Sequence, residues 1–177
     1  MNDKTDIELL ALTAGRDEAA FTELVARYRE RLQRLAYNLL PDRAAADDAV
    51  QETFIRLWTH ARRYNPRHAV STWLYTICCR RCYDELRRHR RLRNSLPTTE
   101  PTVQADSMEA AELVELLRQA ISTLPPKQRV VYQLREVEGL DSEETAEATH
   151  MSLEQVKANL WAARNTVREK LKRYGIQ

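Results

Sequence analysis

Glycine is nearly missing from this chain: three occur in 177 residues, at Gly15, Gly139 and Gly175. A sandwich or barrel needs turn residues about every 8–12 positions, and a dinucleotide-binding loop needs closely spaced glycines; both are excluded. No run of roughly eighteen apolar residues occurs, so no membrane span is expected. Met1-Asn2-Asp3-Lys4-Thr5-Asp6 carries charge with no apolar stretch behind it, which is not the pattern of a secretory signal. The three cysteines are an odd number, grouped at Cys78, Cys79 and Cys82, and form no disulfide framework. A reduced, cytoplasmic protein is expected. The equipment of an enzyme is also lacking: no nucleophile–base pair, phosphate loop or HExxH is present, and the four histidines are isolated. No catalysis, cofactor or metal is expected. Nor is there an excess of one charge, since 28 basic and 26 acidic side chains leave a net +2.

What the chain has is helical periodicity. Thr5 and Glu8 read as a capping box, followed by Ile7, Leu10, Ala11 and Ala14 on one face and closed by Gly15. Asp17 caps a second helix with the stripe Phe21, Leu24, Val25, Tyr28, Leu32, Leu35 and Leu39. The third carries Ala46, Ala49, Val50, Thr53, Phe54, Leu57, Trp58 and Ala61 at three-four spacing. A polar loop from Arg62 to Ala69 follows. Ser71 is read as the cap of a long helix with Leu74, Ile77, Cys78, Cys82 and Leu86 along one side and Cys79 pointing elsewhere. Residues 94–107 lose periodicity and hold two prolines, which reads as a flexible linker able to span roughly 45 Å. The expected fold is therefore all-α, with two small helical domains, 1–93 and 108–177, on a tether. The second domain opens with Leu113, Leu117, Ala120, Ile121 and Leu124, and Pro125-Pro126 starts a further helix lined by Val130, Leu134 and Val137 up to Gly139. Asp141 with Glu144 and Ser152 with Gln155 read as two more capping boxes, the last helix carrying Val156, Leu160, Ala163, Val167 and Leu171.

The segment His150-Met151-Ser152 joins two helices as the turn of a helix-turn-helix. The motif needs a small residue where the helices cross, and Ala146 supplies it. Four residues on, the turn needs a left-handed backbone at His150; histidine is enriched there among non-glycine residues. Val156 fills the angle. The last helix then exposes Ser152, Glu154, Gln155, Lys157, Ala158, Asn159 and Trp161, with Arg164, Arg168, Lys170, Lys172 and Arg173 further along, offering hydrogen-bonding groups for base edges and cations for phosphates. The alternative is a solvated amphipathic helix in a bundle.

At these residues the sequence resembles a family. Asp47-Asp48-Ala49-Val50-Gln51-Glu52-Thr53-Phe54-Ile55-Arg56-Leu57-Trp58, then Ser71-Thr72-Trp73-Leu74-Tyr75, then Asp84-Glu85-Leu86-Arg87-Arg88 are similar to the promoter-melting domain of an extracytoplasmic-function (ECF) sigma factor. Leu124-Pro125-Pro126-Lys127-Gln128-Arg129 and Val156-Lys157-Ala158-Asn159-Leu160 with Arg164 resemble its C-terminal domain. The resemblance implies a dissociable specificity subunit of bacterial RNA polymerase. Its N-terminal domain would bind the β′ clamp helices and recognise and melt the −10 element. Its C-terminal domain would bind the β flap and place the last helix in the −35 element. Glu100, Asp106, Glu109, Glu112 and Glu115, with no base among residues 94–117, would mimic nucleic acid near the RNA exit channel. A membrane-bound anti-sigma factor is the usual inhibitor, and no direct membrane insertion is implied for the chain itself.

The residues fit these roles. Asp47, Asp48, Gln51, Glu52 and Arg56 form a polar face that the third helix does not need for its own core, so it is free for a helical partner, or simply solvated. The loop with Arg62, Arg63, Tyr64 and Asn65 mixes cations with an aromatic, as single-strand capture requires. Trp73 stands beside it as a stacking platform or core residue. Between Arg80 and Arg93, seven arginines face two acids, a net +5, and Arg80, Arg87 and Arg88 are expected to contact phosphate. Arg80 stands where the family usually has asparagine, Asn159 where a basic residue is frequent and Trp161 where histidine is common, so the promoter sequence is not carried over. Two other classes compete. Cys78, Cys79 and Cys82 with His89 are a conceivable zinc or redox site, although Cys78 and Cys82 lie on the apolar stripe, where a thiol behaves as a small hydrophobe. A helix-turn-helix repressor would bind duplex DNA tightly on its own.

Overall fold

A computed structural model describes residues 4–93 and 110–175, and among these every regular element is helical. The linker expected at 94–107 lies outside the described residues. By spatial contact the chain divides into two compact units, Met1–Cys82 with Glu147–Thr149, and Tyr83–Ala146 with His150–Gln177.

α1 (Asp6–Ala14) opens with the expected box, the Glu8 amide donating to Thr5 Oγ1 at 3.3 Å and the Thr5 amide to Glu8 Oε2 at 2.7 Å. Its buried face is only partly the expected one: Leu10 is buried as expected, together with Leu9 and Thr13, whereas Ile7 is 54% exposed and Ala11 is exposed. Apolar residues nearly surround this short helix, so its period selects no face; packing against α2 does. The helix ends at Gly15, but the left-handed residue is Arg16, at φ 72°. Gly15 serves close approach instead, because a Cβ there would lie 3.1 Å from the Leu12 carbonyl oxygen. Arg16 is held by a 3.2 Å bond from its Nη1 to the Trp58 carbonyl, with its guanidinium 5.2 Å from the Trp58 ring centroid.

Asp17 caps α2 (Glu18–Leu39), accepting from the Ala20 amide at 2.9 Å, and Leu24, Tyr28, Leu32, Leu35 and Leu39 are buried along it. α3 (Arg43–His60) is capped by Asp42 and buries Ala46, Ala49, Val50, Thr53 and Leu57. Phe21 meets Trp58 edge-on at 5.0 Å, joining α2 to α3. A 3-10 turn, Ala61–Arg63, leads to the loop. α4 (Val70–Arg93) begins one residue before Ser71, with the Trp73 amide donating to Ala69 O at 3.1 Å. Ser71 therefore lies inside the first turn and does not cap it. Cys79, expected to point away from the core, is 1% exposed. Thr72, Tyr75 and Cys79 are buried in a second row beside Leu74, Cys78, Cys82 and Leu86, so the packed face of α4 is wider than one stripe.

In the C-terminal half, α5 (Ala110–Ser122) buries Leu116, Ala120 and Ile121. Leu113, expected in the core, is 42% exposed. Pro126 starts α6 (Pro126–Tyr132), where Val130 and Val131 are buried. The chain then widens into a π-helical turn, Gln133–Val137, in which the Glu138 amide donates to Gln133 O at 3.0 Å. An unbroken α-helix would keep Val137 on the Val130–Leu134 stripe; the wide turn rotates it out to 42% exposure. Gly139 stops the segment at φ 75°. Asp141 and Glu144 form their reciprocal box, at 2.9 and 2.8 Å, at the start of α7 (Ser142–Thr149). α8 (Leu153–Arg173) packs one face against two clusters: Ala163 and Val167 with Ala120, Ile121 and Leu124, and Val156 and Leu160 with Val131.

Candidate nucleic-acid and protein interfaces

The helix-turn-helix is built as its sterics demand. His150 adopts φ 54°, and the Met151 amide reaches back to Ala146 O at 3.1 Å, closing α7 with a left-handed C-terminal residue. Ala146 packs against the cluster of Val131, Val156 and Leu160, where the two helices cross. Ser152 then caps α8: the Gln155 amide donates to its Oγ at 3.2 Å, and its own amide donates to Gln155 Oε1 at 3.1 Å.

At about 100° per residue, Glu154, Lys157, Ala158, Trp161, Asn165 and Arg168 share one face of α8, opposite Val156, Leu160, Ala163 and Val167. Glu154, Lys157, Ala158, Trp161 and Arg168 are exposed, Trp161 by 70%. Arg168, one of the cations expected further along the last helix, falls on this face seven residues beyond Trp161. Ser152 and Gln155 are occupied by capping, and Asn159 Nδ2 donates back to Gln155 O at 2.7 Å. Arg164, on the flank of the outward face, donates from Nε and Nη2 to Glu136 Oε1 at 3.1 and 2.6 Å. Burial, helped by Glu136, pushes the Tyr132 phenol above its ordinary range.

On α3 the outward face is the expected one, but its members are not equally available. Asp48 and Gln51 are exposed. Glu52 pairs with Arg56 at 2.7 Å, and Asp47 accepts a 2.5 Å bond from the Tyr37 hydroxyl, which pushes that phenol upward. Among these polar groups stands Ile55, 49% exposed. In the sequence it falls outside the apolar stripe and, being apolar, is not counted with the polar face.

The loop before α4 is pinned at several points. Arg62 Nε donates to Ala14 O at 3.1 Å, the Tyr64 hydroxyl donates to His68 O, and Asn65 Oδ1 accepts from the Arg67 amide at 3.1 Å. The half-buried Tyr64 and Trp73 rings lie 5.6 Å apart, so Trp73 packs against the loop while remaining partly accessible. Arg63 is exposed. Trp73, Arg80 and Arg87 recur at intervals of seven and so share a face of α4, spanning about 21 Å. Arg80 and Arg87 are exposed, Arg87 lying 5.7 Å from the Tyr83 ring centroid, while Arg88 is paired with Glu85 at 2.7 Å. Cys78, Cys79 and Cys82 are buried thiols. A hydrogen bond with Cys78, then burial, holds the Cys82 thiol well above its ordinary range. Among the described residues no group of three or more His, Cys, Asp or Glu is arranged to hold a metal, and no helix is long and apolar enough to cross a membrane.

Comparison with known proteins agrees with this geometry. The family described as Sigma-70 region 2 matches residues 24–92, and that described as Sigma-70, region 4 matches residues 114–167. The ECF RNA polymerase sigma factor SigE of Mycolicibacterium smegmatis is 30% identical, over 91% of this chain and 66% of its own length. RpoE of Cereibacter sphaeroides is 29% identical over 95% of this chain and 96% of its own. Among solved structures, CnrH in complex with the cytosolic domain of CnrY matches with a TM-score of 0.71 at 25% identity, over 94% and 97% of the two chains. RpoE of Bartonella quintana, in complex with the anti-sigma factor NepR, shares the fold with a TM-score of 0.68 at 22% identity, over 86% and 96%. With a region 2 match over the polar face of α3 and the arginines of α4, and a region 4 match over the helix-turn-helix, the chain belongs to the ECF family of RNA polymerase sigma factors.

Proposed function

We propose that this protein binds core RNA polymerase in the cytoplasm, directs it to specific promoters and assists their melting, without catalysing a reaction itself. The observation that carries the reading is the outward face of α8: a capped helix N-terminus followed by exposed Lys157, Trp161 and Arg168, held by a turn with His150 left-handed. That face enters the major groove of the −35 element, with base edges met near the N-terminus and phosphates met further along. The face of α3 docks on the β′ clamp helices through Asp48, Gln51 and Ile55, and the C-terminal domain docks on the β flap. The Arg63–Asn65 loop and the stripe of Trp73, Arg80 and Arg87 take the melted −10 strand, where stacking and phosphate contacts offset an unstacking cost of a few kcal/mol. The region matches at 24–92 and 114–167 flank the 94–107 segment and support domains at 1–93 and 108–177. The Bartonella quintana relative in complex with an anti-sigma factor supports such a protein as a partner here.

The test is reconstitution with core RNA polymerase and run-off transcription on genomic fragments. Expected are stable association with core, discrete transcripts, and weak duplex binding by the protein alone. Failure to associate with core, or tight duplex binding without it, overturns the reading.

A further inference from the structure

Arg164 does not project freely from α8. Its Nε and Nη2 both donate to one oxygen of Glu136, at 3.1 and 2.6 Å, across 28 residues of sequence. Glu136 belongs to the π-helical turn Gln133–Val137, the same wide turn that rotates Val137 into solvent. An interruption of this kind often marks a functional position in a helix, and here it sets a carboxylate against the flank of the recognition helix. The guanidinium has five N–H donors. Glu136 takes one from Nε and one from Nη2, leaving the second Nη2 hydrogen and both Nη1 hydrogens, the outer fork that matches a phosphate. Arg164 is still 51% exposed in this pair, and Glu136 32%.

We propose that Glu136 is a positioning residue for promoter recognition: it fixes the Arg164 side chain with its outer fork turned to the DNA backbone. The inference rests on the reading of α8 as the −35 helix. Two effects of Glu136 oppose each other. Its negative charge weakens the attraction of Arg164 for phosphate, but both groups are solvent-exposed and that effect is screened. Its two hydrogen bonds remove rotamer freedom that an arginine otherwise loses on binding, an effect that salt does not screen. Preorganisation therefore wins, and binding falls when Glu136 is removed.

The experiment is a double-mutant cycle in the reconstituted holoenzyme, using a duplex selected by the wild-type holoenzyme from a random-sequence pool. Arg164→Ala is expected to weaken binding and lower the slope of log affinity against log salt by about one. Glu136→Ala is expected to weaken binding roughly threefold to tenfold with Arg164 present, and less than about twofold on the Arg164→Ala background. Glu136→Gln keeps volume and an acceptor and should fall between; it stands in if the alanine variant loses helical circular dichroism. No effect of Arg164→Ala on affinity or slope overturns the −35 reading, and the inference with it. If Arg164→Ala does weaken binding, tighter or unchanged binding by Glu136→Ala overturns the inference alone, as does an equal loss on both backgrounds.

Discussion

Asp47 and Asp48 are neighbours on α3, yet one carboxylate is committed and the other open. Tyr37 donates to Asp47 at 2.5 Å, while Asp48 is exposed without such a bond among the described contacts. Asp48→Ala and Gln51→Ala are therefore expected to weaken core polymerase binding at least fivefold, on the scale of an interface hot spot above about 1 kcal/mol; Asp47→Ala should change it by less than about twofold. Competition for core by labelled wild-type protein measures both, and a larger loss for Asp47 would reverse the assignment. A second residue-scale expectation concerns His150 at φ 54°. His150→Gly should shift stability by no more than about 1 kcal/mol, because glycine accepts that backbone but loses more freedom on folding. His150→Val should lose about 1–2 kcal/mol, since a branched Cβ meets the adjoining carbonyl in the left-handed region. Urea denaturation followed by circular dichroism distinguishes them. The demand for a left-handed residue was legible from motif spacing alone. Arg16 was not legible, because Gly15 beside it drew the assignment while the actual left-handed residue is secured by Trp58, 42 positions away.

For the helices themselves, local chemistry was a reliable guide where it closed within one turn. The boxes at Thr5–Glu8, Asp141–Glu144 and Ser152–Gln155 all form, because each needs only two side chains three residues apart. Faces were harder. α1 kept Leu10 inside but turned Ile7 and Ala11 outward, α5 buried Leu116 in place of Leu113, and α6 lost Val137 to a turn that hydrophobic spacing does not reveal. α4 is the instructive element: its core is two rows wide, so all three cysteines are buried. In native protein a thiol-specific disulfide reagent should modify them at least about a hundredfold more slowly than in denaturant. At Cys82, raising the pH from about 7 to 9 should bring little acceleration, because that thiol stays protonated above the usual thiol range. Rapid labelling of native protein would show that α4 opens locally and would revive a redox role.

Taken over the whole chain, a net charge of +2 conceals segregation. Residues 80–93 carry +5 and residues 151–177 carry +4, while 136–147 holds six acids and no base. Such a molecule offers two cationic helices for the proposed DNA contacts and keeps acidic surface for protein or for its own arginines. The expected consequence is a salt dependence that resides in particular side chains. Lys157→Ala and Arg168→Ala should each lower the slope of log affinity against log salt by about one in the holoenzyme, and the double variant by about two. Unchanged slopes would place these residues off the DNA. By itself the sequence determined the helices, their caps other than that of α4, the helix-turn-helix and the family, because these depend on hydrogen bonds and steric limits within a few residues and on motifs read in order. Only the tertiary structure decided which side chains on the exposed faces are free: Tyr37 occupies Asp47, and Glu136 holds Arg164. Those pairings depend on the distance between different helices, which packing sets and no local period encodes.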